Sequence, residues 1–178
     1  MGIKGWNVAV LLAIGAIWFA GSTQREKPVV ADAKTGDKIA LLEEQVVATP
    51  ADAAKLRDLA QAYLDARQPG MALAAIERAP APIRNDPTVD HLYARALLDQ
   101  GRSADALAAE RRVLSRCADP STDVPSCSTY LIASATRRAE ILEQLVQLGV
   151  EDANAHPEAS SLAYQNATRQ VSFSAAAQ

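Results

Sequence analysis

Aromatic side chains make up only 4% of these 178 residues, although 49% are apolar. Alanine and leucine therefore supply most of the hydrophobicity. Small side chains favour closely packed helices over strands, which draw on β-branched and aromatic residues. The excess of one charge over the other is small as well: a net charge of -3 argues against nonspecific nucleic-acid binding. Two cysteines and two histidines leave little to build a metal site from, and His91 and His156 head no ligand motif. No G-x-S-x-G, H-E-x-x-H or phosphate-binding glycine loop occurs, and the carboxylates are scattered as solvated charge usually is. We expect no catalytic residues, no cofactor and no metal.

What the chain does have is an internal repeat. Ala60 falls on Ala94 at an offset of 34, Ala62 on Ala96, Leu64 on Leu98 and Asp65 on Asp99. Ala72-Leu73-Ala74-Ala75 falls on Ala106-Leu107-Ala108-Ala109, and Arg78 on Arg112. A period in this range marks stacked supersecondary units.

The N-terminus reads as membrane-directed. Residues Trp6 to Ala20 carry no charge and one polar residue, Asn7; Lys4 precedes them and Arg25, Glu26 and Lys27 follow. A cleaved signal peptide needs a short apolar region and a small-residue site, which Ala20-Gly21-Ser22 fits. An uncleaved anchor needs about 20 apolar residues with aromatic ends. Ile3 to Thr23 is nearly that length, with Trp6 and Trp18 near its ends. Residues 1–23 are thus a transmembrane anchor or signal peptide, with membrane contact through residues 3–23. Residues 24–36 mix charge with proline and read as a linker. Either version exports the remainder.

From Asp37 apolar residues return at helical spacing, as Ile39, Leu42 and Val46. Thr49-Pro50 reads as a cap followed by proline at the first helical position. Leu56, Leu59, Ala60, Tyr63 and Leu64 form the next stripe, which Gln68-Pro69-Gly70 breaks. Ala72, Ala75, Ile76 and Ala79 follow, ended by Pro80 and Pro82. Asp86-Pro87 repeats the cap signal ahead of Val89, Leu92, Tyr93, Ala96 and Leu97, and Gly101 closes that helix. Ser103 opens a helix running to Cys117. Leu131, Ala135, Ala139, Leu142 and Leu145 then predict a helix ending near Gly149, and His156-Pro157 starts the last one.

Paired helices with a period of 34 resemble the tetratricopeptide repeat. Leu59-Ala60 with Tyr63, and Tyr93-Ala94 with Leu97, match the large-small pair and later large residue of that family's first helix. Ala72 and Ala106 match its small residue at the helix crossing, and Gly101 its turn glycine. Arg67 stands where that glycine would be in the first unit, and Glu110 replaces a large apolar residue in the second. The resemblance implies an all-α fold: a right-handed superhelical stack of antiparallel helix pairs. About three units would occupy residues 37–172, before a disordered tail at 173–178.

Cys117 and Cys127 bracket a proline-containing loop between two helices. In an exported protein the expected state is a disulfide, stabilising by about 2–3 kcal/mol on a chain-entropy estimate. Free thiols, redox-active or metal-binding, are the other reading.

In a tetratricopeptide stack the first helix of each unit lines a groove that holds partner peptides. The repeat register places Arg57, Gln61 and Leu64 on that face from one unit, and His91, Arg95 and Leu98 from the next. Two arginines there suit an acidic segment or a C-terminal carboxylate. The resemblance therefore implies a non-enzymatic protein-protein interaction scaffold. It would be anchored in the inner membrane with its domain in the periplasm, assembling an envelope complex. A cleaved, soluble periplasmic chaperone-like adaptor is the alternative, and a thiol-redox protein the third.

Overall fold

Proline, aspartate and glycine divide the chain into helices almost where the sequence places them. In the computed structural model, residues 33–118 and 126–176 are described, and they form eight helices and no strand. The helices are α1 (Ala33–Ala48), α2 (Ala53–Asp65), α3 (Pro69–Arg78), α4 (Ala81–Arg84), α5 (Pro87–Asp99), α6 (Ser103–Ala118), α7 (Thr129–Gln147) and α8 (Pro157–Ala176).

Three boundaries differ from expectation. α1 begins at Ala33, inside the stretch read as linker, and α8 runs to Ala176, through most of the stretch read as disordered tail. Neither extension contains proline, and a helix already anchored by packing adds one hydrogen bond per further residue, which carries α1 over Gly36. The cap before α2 is Asp52 and not Thr49: its carboxylate accepts the backbone N–H groups of Ala54 and Lys55. Thr49 instead closes α1, its N–H and hydroxyl both donating to the Gln45 carbonyl. Aspartate is also the stronger cap. Asp86 caps α5 as expected, with Pro87 in the first turn.

The first helix of each pair ends in the same way. Arg67, Gly101 and Gly149 all take positive φ, at 54°, 74° and 70°. Behind each, the next residue's N–H reaches back five positions: Gln68 to Tyr63, Arg102 to Leu97 and Val150 to Leu145, at 2.8–2.9 Å. The positive-φ residues themselves donate three positions back, to Leu64, Leu98 and Val146. This is the Schellman closure, repeated three times. Its third occurrence lies between the two helices of the pair whose sequence has drifted furthest from the repeat.

Neighbours in sequence pack as neighbours in space: α1 on α2, α2 on α3, α5 on α6, α6 on α7 and α7 on α8, with α3 and α2 also meeting α5. One apolar core runs from Ile39 through Leu56, Tyr63, Ile76, Val89 and Leu97 to Leu142, Leu145 and Ala163. Ala60, Ala72, Ala94 and Ala106 are fully buried, as close helix crossings require. A second, small cluster of Val113, Leu131 and Ala135 lies apart, against Leu114 and Cys117. Tyr63 also ties α2 to α1 by donating to Glu43, and burial together with that carboxylate pushes its hydroxyl pKa up to about 12.

Candidate functional site

The repeat is not symmetric in its chemistry. At the offset of 34, buried Leu56 and Ile76 of the first unit become Asp90 and Glu110 in the second, and both carboxylates are buried too. A buried charge is tolerated only when paired and hydrogen-bonded. Asp90 on α5 is met by Arg112 through two bonds of 2.8 and 3.1 Å, and by Arg116 at 3.1 Å, both from α6. Arg116 also donates to the Asn85 carbonyl.

Glu110, 0% exposed, faces the other way. Arg138 of α7 donates to its Oε1 at 2.9 Å, and His91 of α5 places Nδ1 2.8 Å from its Oε2. The His91 Nε2 lies 3.1 Å from the Ser134 hydroxyl, one turn before Arg138 on α7, and Arg138 also donates to the His91 carbonyl at 3.2 Å. Three helices thus meet on one carboxylate. Among the described residues no buried side-chain polar atom lacks a partner.

Ser134, His91 and Glu110 stand in the order of a nucleophile, its base and an orienting carboxylate. The surroundings suit a clamp better. Arg138 already pairs with Glu110, and its guanidinium stands 3.4 Å from His91 Nδ1. Ser134 lies within α7, its backbone part of the helix.

The expected groove residues divide. Arg57 is exposed and pairs with its neighbour Asp58 at 3.2 Å. Gln61 donates to Asp65 at 2.6 Å, and its carbonyl accepts from Arg95 at 3.5 Å, which joins α2 to α5. Arg95 is half-buried and forms no ion pair among the described residues. Two residues depart from expectation. Leu64 is a core residue, 4% exposed, because the end of α2 is packed under its neighbours. His91 is turned into the Glu110 clamp rather than left open to a partner. Leu98 is half-buried and packs against the same core.

Sequence reasoning missed Glu110, Arg138, Ser134 and Asp90 as a group. The signal was present for two of them, since a carboxylate at the offset of a buried leucine or isoleucine demands a cation nearby. The cations themselves come from other helices, and Arg138 lies outside the clear repeat.

At the end of α6 the two sulfurs of Cys117 and Cys127 are 2.04 Å apart, with Cα atoms 5.4 Å apart: the pair is a disulfide. Beside it Ser126 donates to Asp86 Oδ2 at 2.5 Å. Burial pushes the Asp86 carboxyl up, but hydrogen bonds from Ser126, Thr88 and the Thr88 and Val89 N–H groups outweigh it. The pKa lies below the ordinary carboxylate value. No cluster that could hold a metal occurs among the described residues. No described helix is long and apolar enough to cross a membrane, and the membrane segment expected at 3–23 lies outside the described residues.

No protein-family model, curated protein or solved structure matches the chain. The function must be argued from its own residues.

Proposed function

We propose that the chain is a protein-protein interaction scaffold without catalysis, built as a tetratricopeptide-like right-handed stack. The observation that carries this reading is a line of contacts across three helices. Gln61 meets Arg95 between α2 and α5, and His91 meets Ser134 and Arg138 between α5 and α7. The first contact joins residues at the repeat offset of 34, as neighbouring units of such a stack would. The three identical helix closures support the same arrangement of three units.

Arg95 lies on this line, with Arg138 one-quarter exposed at its far end, and Arg57 stands one turn before Gln61 on α2. Guanidinium groups make bidentate, charge-assisted bonds to carboxylates. The fitting partner is a protein with an acidic segment or a free C-terminus. The charge-free stretch from Trp6 to Ala20 supports a single-pass inner-membrane tether with the helical domain in the periplasm, where a disulfide persists. Assembly or stabilisation of an envelope complex follows as the role. Ala20-Gly21-Ser22 favours a second reading, a cleaved soluble periplasmic adaptor.

The test is crosslinking in intact cells from a photoreactive residue at position 95, followed by mass spectrometry. A scaffold gives a discrete set of envelope proteins, captured less in an Arg57→Glu chain. Crosslinks no different from those of a solvent-facing control position would refute it. N-terminal sequencing that begins near Thr23 would replace the anchored form by the cleaved one.

A further inference from the structure

The amino-terminal half of α7 is held differently from its other half. Leu142 and Leu145 belong to the main core, whereas Leu131 and Ala135 pack only into the small cluster with Val113, Leu114 and Cys117. Three buried apolar residues are a weak hold for two turns of helix. Among the described residues its other attachments are the Ser126 bond to Asp86, the His91–Ser134 bond, Arg137 to the Tyr164 hydroxyl, Arg138 to Glu110 and to the His91 carbonyl, and the Cys117–Cys127 disulfide. Both cysteines are half-buried, with exposed Ala118 and Ser128 beside them.

We infer that the Cys117–Cys127 disulfide is a redox latch on the amino-terminal half of α7, which sets whether Ser134 is docked against α5 beside the arginine face. A dithiol reductant attacks one sulfur, passes through a mixed disulfide and leaves as a cyclic disulfide. Two electrons pass to the protein, the S–S bond breaks, and each cysteine sulfur ends as a thiol carrying one proton. Without that cross-link the end of α6 and the start of α7 are joined only through the intervening chain, and Leu131, Ala135 and the hydrogen bonds of Ser126, Ser134 and Arg138 must order the segment. The main core, which contains neither cysteine, keeps α5 and the end of α7 in place.

The test is amide hydrogen exchange on the full chain with and without dithiothreitol, and on Cys117→Ser/Cys127→Ser. On reduction, amides from Leu131 to Ala135 should exchange at least about tenfold faster, as a lost cross-link of this loop size implies. Amides around Leu97 and Leu142 should be unchanged, and the double variant should exchange fast whether reductant is present or not. Equal protection in both redox states overturns the latch. So does loss of protection around Leu97 as well, since the bond would then hold the whole domain. The inference rests on the proposed arginine face only for its consequence, which an acidic peptide ending in a free carboxylate reads separately. Weaker binding after reduction supports that consequence. Binding in neither state would remove the face while the exchange data still decide the latch.

Discussion

At the scale of single residues, the chain departs from its own repeat at two buried positions, and both departures are charged. Glu110 sits where the first unit has Ile76, and Arg138 is what makes it tolerable there. Arg138→Leu strands a buried carboxylate with only His91 beside it and should cost about 3 kcal/mol in urea unfolding. Adding Glu110→Ile to that chain should recover most of the loss, because the repeat already packs isoleucine at the matching position. Failure to recover would mean that the clamp, and not its burial, holds α7. Asp86 gives a pH dependence of known sign. Its folded pKa is lowered, so its contribution is present above the unfolded value near 4 and is lost as pH falls through the lower folded value. Asp86→Asn keeps the cap but not the charge. Urea midpoints at pH 3 and pH 6 should therefore differ less in the variant than in the parent chain.

At the scale of the helix, the repeated closure makes a sharper test than any helix boundary. Arg67 and Gly101 occupy equivalent positions with equivalent φ, yet only one is glycine. A side chain in the left-handed region carries a cost that glycine avoids. Arg67→Gly should therefore stabilise by about 0.5–1 kcal/mol, measured as a rise in melting temperature. Gly101→Ala should destabilise by more than that gain, since its new Cβ would also stand 3.0 Å from the Asp152 side chain. Equal effects of opposite sign would mean that this contact yields freely. The helices themselves were legible, because apolar spacing and caps are local signals: Leu56, Leu59, Ala60, Tyr63 and Leu64 are all buried as their stripe requires. The start of α2 was misread because Thr49-Pro50 and Asp52 offer competing caps three residues apart, and only the hydrogen bonds show which one wins. The extra turn at Ala33 was hidden because Ala33, Lys34, Thr35 and Gly36 show no apolar spacing and Gly36 reads as a breaker.

At the scale of the whole molecule, the all-helical class was legible in the scarcity of aromatics and the helical spacing of the apolar residues, and the disulfide in two cysteines flanking one loop. The face did not follow as cleanly. Register places a residue on a side of its helix but not at a depth, which is why Leu64 proved buried and His91 proved occupied. The clamp joins residues 19 to 47 positions apart, and no sequence spacing announces such a meeting. Of the residues expected on that face, Arg57 is exposed and Gln61 and Arg95 meet each other, and the proposed face takes in Arg138 as well. The central proposal is that these arginines take a carboxylate-bearing partner, and it can be read directly. Titrating a labelled acidic peptide with a free C-terminus into the oxidised protein, and into Arg57→Glu/Arg95→Glu, should show affinity falling at least about tenfold in the variant, with its melting temperature unchanged. Equal affinity for the two proteins would contradict the proposal.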